Sequence, residues 1–221
     1  MSDSTRTCAV VRFAKRGPAR LVGHLDLARA FDRAVRRAGV PVTYTQGFNR
    51  HARIAFGPSL ALGMEGLAEL CVMELDEPAD AEALKLRLGE QMPPGLEIVD
   101  VQVQGRGRRS PLADLSRAGY RVELALQGVD VEDLRRAIRD VLEAGSLEIV
   151  RRTKSGEKAV DIRPGILGIE LLPGDPLVLN MELAVGDGAI TKPQELCEAL
   201  NRALGRTDAV AFRRPTRTTL C

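Results

Sequence analysis

The residues best suited to chemistry lie near the start of the chain. Only two histidines occur in 221 residues, His24 and His51, and Asp26 stands two positions after the first. Imidazole is the side chain that titrates nearest neutral pH. Two imidazoles brought together with a carboxylate would make an acid–base pair or half of a metal site. Each has a plainer reading as well. His24 opens a helix beside its apolar stripe and would be a partly buried, satisfied residue. His51 closes a polar loop, Gln46-Gly47-Phe48-Asn49-Arg50-His51, among arginines.

The surrounding residue types point to an anionic partner. Arg29, Arg33, Arg36 and Arg37 follow His24 on one helix. Guanidinium groups on one face would neutralise phosphates. Gln46, Phe48, Asn49, Arg50, His51 and Arg53 would position a nucleic-acid strand, with Phe48 as the candidate stacking ring. Aromatics make up only 3% of the chain, so RNA binding would be led by charge and shape.

The net charge of +2 conceals this asymmetry. Residues 1–53 carry eleven Arg or Lys against three acids, and residues 54–100 carry two against ten. A basic block beside an acidic one points to nucleic acid or phosphate, or else to mutual neutralisation.

Composition excludes several classes. With 44% hydrophobic and 28% charged residues, the chain is globular, and no apolar run reaches the roughly 18 residues of a membrane span. The polar N-terminus carries no apolar signal segment, so the expected location is the cytoplasm. Cys8, Cys71, Cys197 and Cys221 are too scattered for a zinc knuckle or a redox pair, and neither a metal site nor a cofactor is expected. The first three read as small core residues. There is no Gly-x-Ser-x-Gly and no P-loop, which argues against an enzyme. The basic segment from Gly105 to Arg109 lacks the strand and helix that give a phosphate loop its meaning, and reads as a linker.

These residues need elements to hold them. Residues 8–14 read as a strand and 24–38 as a helix with Leu27, Ala28, Phe31, Ala34, Val35 and Ala38 in one stripe. Short extended segments at 41–45 and 53–56 follow, then a strand at 67–75, a helix at 80–91 and a strand at 96–103. That order is a split βαβ, or ferredoxin-like, arrangement. After a loop at 105–118 the order repeats loosely: strand 120–126, helix 130–144, a hairpin from 147 to 162, strands 166–172 and 177–185, and a helix from Thr191 to about Leu204. The expectation is an α+β protein of two ferredoxin-like halves packed together, residues 1–105 and 117–221.

The N-terminal block also resembles a known family. Arg12-Phe13-Ala14-Lys15, Gly23-His24-Leu25-Asp26-Leu27-Ala28-Arg29, Asp32-Arg33-Ala34-Val35-Arg36-Arg37-Ala38-Gly39-Val40-Pro41 and Gln46-Gly47-Phe48-Asn49-Arg50-His51 carry the likeness. They resemble the radical SAM-associated, or radical SAM-linked, domain of unknown function in its stand-alone bacterial form. The likeness is specific over residues 12–65 and extends more weakly through Asp161-Ile162-Arg163-Pro164. In the family the loop usually reads Gly-Phe-Asn-Pro-His-Pro; here Arg50 and Ala52 stand at the proline positions, and Gly23 stands where Ser is common. The resemblance implies a radical SAM enzyme as partner and a setting in RNA metabolism and ribosome function.

Three readings stand together at this stage. The first is an RNA-binding accessory or substrate-presenting protein for a radical SAM enzyme. The second is an RNA-processing or RNA-modifying enzyme using His24 and His51. The third is a protein-docking module whose acidic 65–100 segment meets a basic partner.

Overall fold

The computed structural model describes residues 7–105, 107, 109–153, 156–186 and 190–221. Arg106 and Arg108 of the basic segment, and Lys154 and Ser155 of the hairpin turn, lie outside the described residues. The chain divides into two compact units, Met1–Leu115 with Leu220, and Ser116–Thr219 with Cys221.

The first unit runs β1 (Thr7–Lys15), α1 (His24–Arg37), β2 (Ile54–Phe56), β3 (Glu65–Leu75), α2 (Ala81–Gln91) and β4 (Leu96–Gly105). Its strands lie in the order β4–β1–β3–β2, each neighbouring pair antiparallel. Alternation along β1 turns Ala9, Val11 and Phe13 to one face, level with Cys71 and Met73 of β3. Against that face α1 lays Leu27, Ala30, Phe31, Ala34 and Val35, and α2 lays Leu84 and Leu88. Ala30, rather than Ala28, joins the buried stripe of α1. The rings of Phe13, Phe31 and Phe56 meet edge to face, with centroids 4.9 Å apart for Phe13–Phe31 and 5.2 Å for Phe31–Phe56. Such pairs add about 0.5–1.5 kcal/mol each beyond the apolar area they bury.

The two ends of α1 are built differently. Gly23 is its N-cap and brings no side chain to the open N–H groups. At the other end Gly39 takes φ +58°, where its N–H donates to the Arg36 carbonyl and that of Val40 to the Val35 carbonyl. This is the two-bond closure that a left-handed glycine permits. Arg87 of α2 donates to the Ala38 and Gly39 carbonyls, so the second helix completes the first.

The second unit runs β5 (Arg117–Leu126), α3 (Val131–Glu143), β6 (Glu148–Thr153), β7 (Gly156–Asp161), β8 (Ile166–Leu172), β9 (Val178–Ala184), α4 (Pro193–Ala203) and β10 (Val210–Leu220). Its sheet order is β10–β5–β9–β8, with β6 and β7 paired as a separate hairpin. Removing that hairpin leaves the same order as in the first unit. Both units are therefore ferredoxin-like and the protein is α+β, as its pattern of elements predicts.

Four local expectations are corrected. Residues 41–45 form no strand; only isolated bridges occur, at Val42 and Tyr44. The segment expected as a loop from 105 to 118 holds a short helical turn at Pro111–Asp114, and β5 already begins at Arg117. Helix α4 begins at Pro193 rather than at Thr191, whose hydroxyl is buried and donates to the Ile162 carbonyl at 2.8 Å. The strand β10 has no counterpart in the sequence reading, because Arg213, Arg214, Pro215 and Arg217 break its apolar alternation.

The Asp161-Ile162-Arg163-Pro164 motif is a fastener. Asp161 accepts from the Leu147 N–H at 2.8 Å and the Arg163 N–H at 3.0 Å. Arg163 donates to the Ile166 carbonyl and to the Leu142 carbonyl in the last turn of α3. Arg151 of the hairpin grips the carboxylate of Glu195 on α4 in a two-toothed ion pair of 2.7 and 2.8 Å.

Candidate nucleic-acid interface

Helix α1 presents its buried stripe to the core and leaves Arg29, Arg33, Arg36 and Arg37 exposed. Spacings of four residues place Arg29, Arg33 and Arg37 in one row, about 6 Å apart along the axis. Arg29 pairs with Asp26 at 3.0 Å across open surface, a contact worth little in water. Among the described residues neither Arg33 nor Arg37 has a carboxylate partner.

Arg36 has a different task. Its Nε donates to Asp32 at 2.9 Å and its terminal nitrogen to the Arg50 carbonyl at 2.7 Å. Its guanidinium lies over the Tyr44 ring, 4.9 Å from the centroid, and that of Arg50 sits 5.8 Å from the same ring. The other oxygen of Asp32 accepts from the Ala52 N–H at 3.0 Å. One carboxylate thus fastens the helix to the segment that leaves the loop, just before β2. Thr45 and His51 close the loop's neck, the Thr45 N–H donating to the His51 carbonyl and the His51 N–H to the Thr45 hydroxyl.

Ala52 stands where the family that the sequence resembles usually has proline. Proline has no N–H to give Asp32. Here a hydrogen bond supplies the constraint that a ring would otherwise impose on the loop.

Asp32 registers this environment in its acidity. Burial alone would raise its pKa. The Ala52 N–H, the hydrogen bond and charge of Arg36, and the charge of His51 outweigh that and hold the carboxyl below the ordinary aspartate range. A carboxylate whose pKa is depressed on folding stabilises the fold above its unfolded value near 4, and that support is lost as pH falls through the folded value. Asp32→Asn should therefore lower stability by about 1–2 kcal/mol at neutral pH. Denaturant melts at pH 7 and pH 3 check this: the gap between wild type and variant should shrink in acid, and an unchanged gap refutes it.

The residues at the tip, Gln46, Phe48, Asn49 and Arg50, are all exposed, Phe48 completely so. Arg53 pairs with Glu74 at 3.4 Å. Among the described hollows the two histidines line different ones. His51 lines a groove of about 500 Å³ with Arg29, Asp32, Arg33 and Phe56. His24, exposed at the start of α1, rests its ring edge-on against Phe56 at 5.6 Å. Beside it is a hollow of about 20 Å³, bordered by Lys15, Ser59 and Glu69. That volume holds about one water molecule. Asp26 points to Arg29.

Three features here escaped the sequence. The carboxylate of Asp32 reaches a backbone group twenty positions away. Tyr44 gathers two arginines. Lys15 and Glu69, 3% and 6% exposed, bury charged groups at the margin of the core. The Lys15 ammonium donates to the Val22 carbonyl at 2.7 Å. Only Lys15 and Glu69 left a signal, as charges at inward positions of apolar strands.

Among the described residues no group of three or more His, Cys, Asp or Glu is arranged to hold a metal ion. Cys8 and Cys71 are buried in β1 and β3. Burial pushes the thiols of Cys71 and Cys197 up, away from reactive thiolates. No helix among the described residues is long and apolar enough to cross a membrane.

Fold and surface together define an α+β protein of two ferredoxin-like units, the first with a basic helix and an adjoining fastened loop. A family model described as an uncharacterized protein conserved in bacteria, DUF2344, matches residues 9–193. The chain belongs to that family. No curated protein matches it in sequence. Among solved structures it is similar to a chain of a Cbf5-Nop10-Gar1 complex, with TM-score 0.52 and 13% identity over 96% of this chain and 48% of that one. It is also similar to a chain of the archaeal box H/ACA sRNP Nop10-Cbf5 complex, with TM-score 0.51 and 15% identity over 96% and 47%. This chain thus spans about half the length of those it matches. The likeness is one of fold.

Proposed function

We propose that this protein binds RNA and works as an accessory or substrate-presenting partner of a radical SAM enzyme, in RNA or ribosome-related modification in the bacterial cytoplasm. The observation that carries the RNA half is the exposed row Arg29, Arg33 and Arg37 on α1, with Arg33 and Arg37 lacking carboxylate partners among the described residues. A row of guanidinium groups at helical spacing suits successive phosphates of one strand. The exposed loop tip, with Gln46, Phe48, Asn49 and Arg50, adds polar contacts and a ring. Arg53 contributes from the residue just before β2, while Arg36 holds the loop in place.

Two further considerations support the reading. One solved neighbour comes from an archaeal box H/ACA sRNP, a ribonucleoprotein. The radical SAM partner rests on the motif resemblance over residues 12–65. A binding role is favoured over hydrolysis by paired histidines, because His24 and His51 line different hollows.

The test has two arms. Purified protein should shift cellular RNA in a gel at low salt and release it as salt rises. Tagged protein captured from its host should bring down a radical SAM enzyme, identified by mass spectrometry. Failure to retain RNA even at low salt overturns the RNA half; capture without any such enzyme overturns the partnership.

A further inference from the structure

The groove beside α1 combines two surfaces of opposite character. Its apolar part is Ala28, Ile54 and Phe56, with Leu25 standing 71% exposed at α1's first turn. Its cationic part is Arg29 and Arg33, with His51 beside them. The one carboxylate in the lining, Asp32, is already committed to Ala52 and Arg36. A track for phosphates alone has no use for an apolar floor, since phosphate contacts are electrostatic. A ligand that matches both surfaces carries a flat apolar face next to an anion.

An unpaired nucleotide is such a ligand. Its base offers a face that stacks on apolar side chains, and its phosphate lies one sugar away. A duplex hides those faces inside its stack and offers only backbone and groove edges. The groove's volume of about 500 Å³ falls in the range of small-molecule sites and accommodates a base. We infer that this groove receives an unpaired base of single-stranded RNA, with its flanking phosphates on Arg29 and Arg33, and that the protein thereby selects single strands over duplex. The inference rests on the RNA-binding reading above and adds the form of the RNA.

Fluorescence anisotropy on the full chain decides it, with three probes of equal length: a labelled single-stranded RNA, the same strand in a duplex, and an abasic strand. The single strand should bind at least about tenfold more tightly than the other two, since a stacked base contributes on that scale. The uncharged change Leu25→Ser should remove most of that preference, bringing the affinity for single strand down towards that for the abasic strand. Because Leu25 is exposed, the variant should fold, and circular dichroism checks it. Equal affinity for all three probes overturns the inference and leaves RNA binding standing. No binding of any probe overturns both. Displacement of the RNA by an acidic peptide as effectively as by unlabelled single strand would mark a protein-docking groove and overturn the assignment.

Discussion

Reversing Arg29, Arg33 and Arg37 together to glutamate should weaken RNA binding by about 100-fold or more near 0.1 M salt. Each arginine lost from a phosphate removes a charge-assisted contact worth on the order of 1 kcal/mol or more, and the new carboxylates repel the strand. Each contact also releases counterions, at about 0.7 per phosphate for single strands. Losing three should flatten the slope of log affinity against log salt by about 2. The triple glutamine variant separates lost attraction from added repulsion and should fall between the two. Folding should survive, because all three side chains are exposed. The main cost is Glu at position 37, which sits in the last turn and opposes the helix dipole by about 0.3–1 kcal/mol. Arg36 is kept out of the set, because changing it would release the loop and confuse a structural loss with a binding one. Anisotropy titrations at several salt concentrations make the check. An unchanged affinity and slope would remove the basic row from the function altogether.

Phe31→Ala should be among the most damaging truncations in the first unit, at about 3–5 kcal/mol. The ring is fully buried and touches both Phe13 and Phe56. Truncation leaves a cavity that rigid strands on one side and helix backbone on the other cannot close. For a unit of this size the melting temperature should drop by roughly 10–20 °C. The effect reaches the groove as well, since Phe56 both lines it and supports the His24 ring. Phe48→Ala is the internal contrast: the same deletion on a fully exposed ring should stay within about 0.5 kcal/mol. Calorimetry or denaturant melts of the two variants check the pair. A loss below about 1 kcal/mol for Phe31→Ala would mean that the three-ring cluster does not bear on stability.

Much of the first unit was legible in the linear chain, because its signals are local. Helix α1 announces itself by an apolar stripe at helical period, ended by Gly39 and Pro41. The order of elements then implies the ferredoxin-like arrangement, since few topologies accept two split βαβ motifs. The second unit was harder to see. Its inserted hairpin interrupts the order, and β10 carries arginines and a proline where a strand pattern expects apolar residues. Sheet pairing tolerates such residues where backbone partners are supplied from distant segments, which no local window contains.

The candidate interface divides the same way. Residue type and spacing alone identified the basic face of α1 and the loop that follows, because one helix carries the first and a Gly/Asn sequence marks the second. Which arginine does what was decided only by the fold. Arg29, Arg33, Arg36 and Arg37 are equivalent on a helical projection. Arg36 is set apart by Tyr44 and the Arg50 carbonyl, both brought to it by the returning chain. Asp32 stands four residues before Arg36, the ordinary spacing of a helix ion pair, but its second bond, to Ala52, exists only once the loop has closed. His24 and His51 read as a potential pair, and among the described hollows they line different ones that meet at Phe56. The physical reason is common to all three. Spacing along a helix is set by local dihedral angles, whereas hydrogen-bond partners, burial and shared cavities are set by segments far apart in sequence.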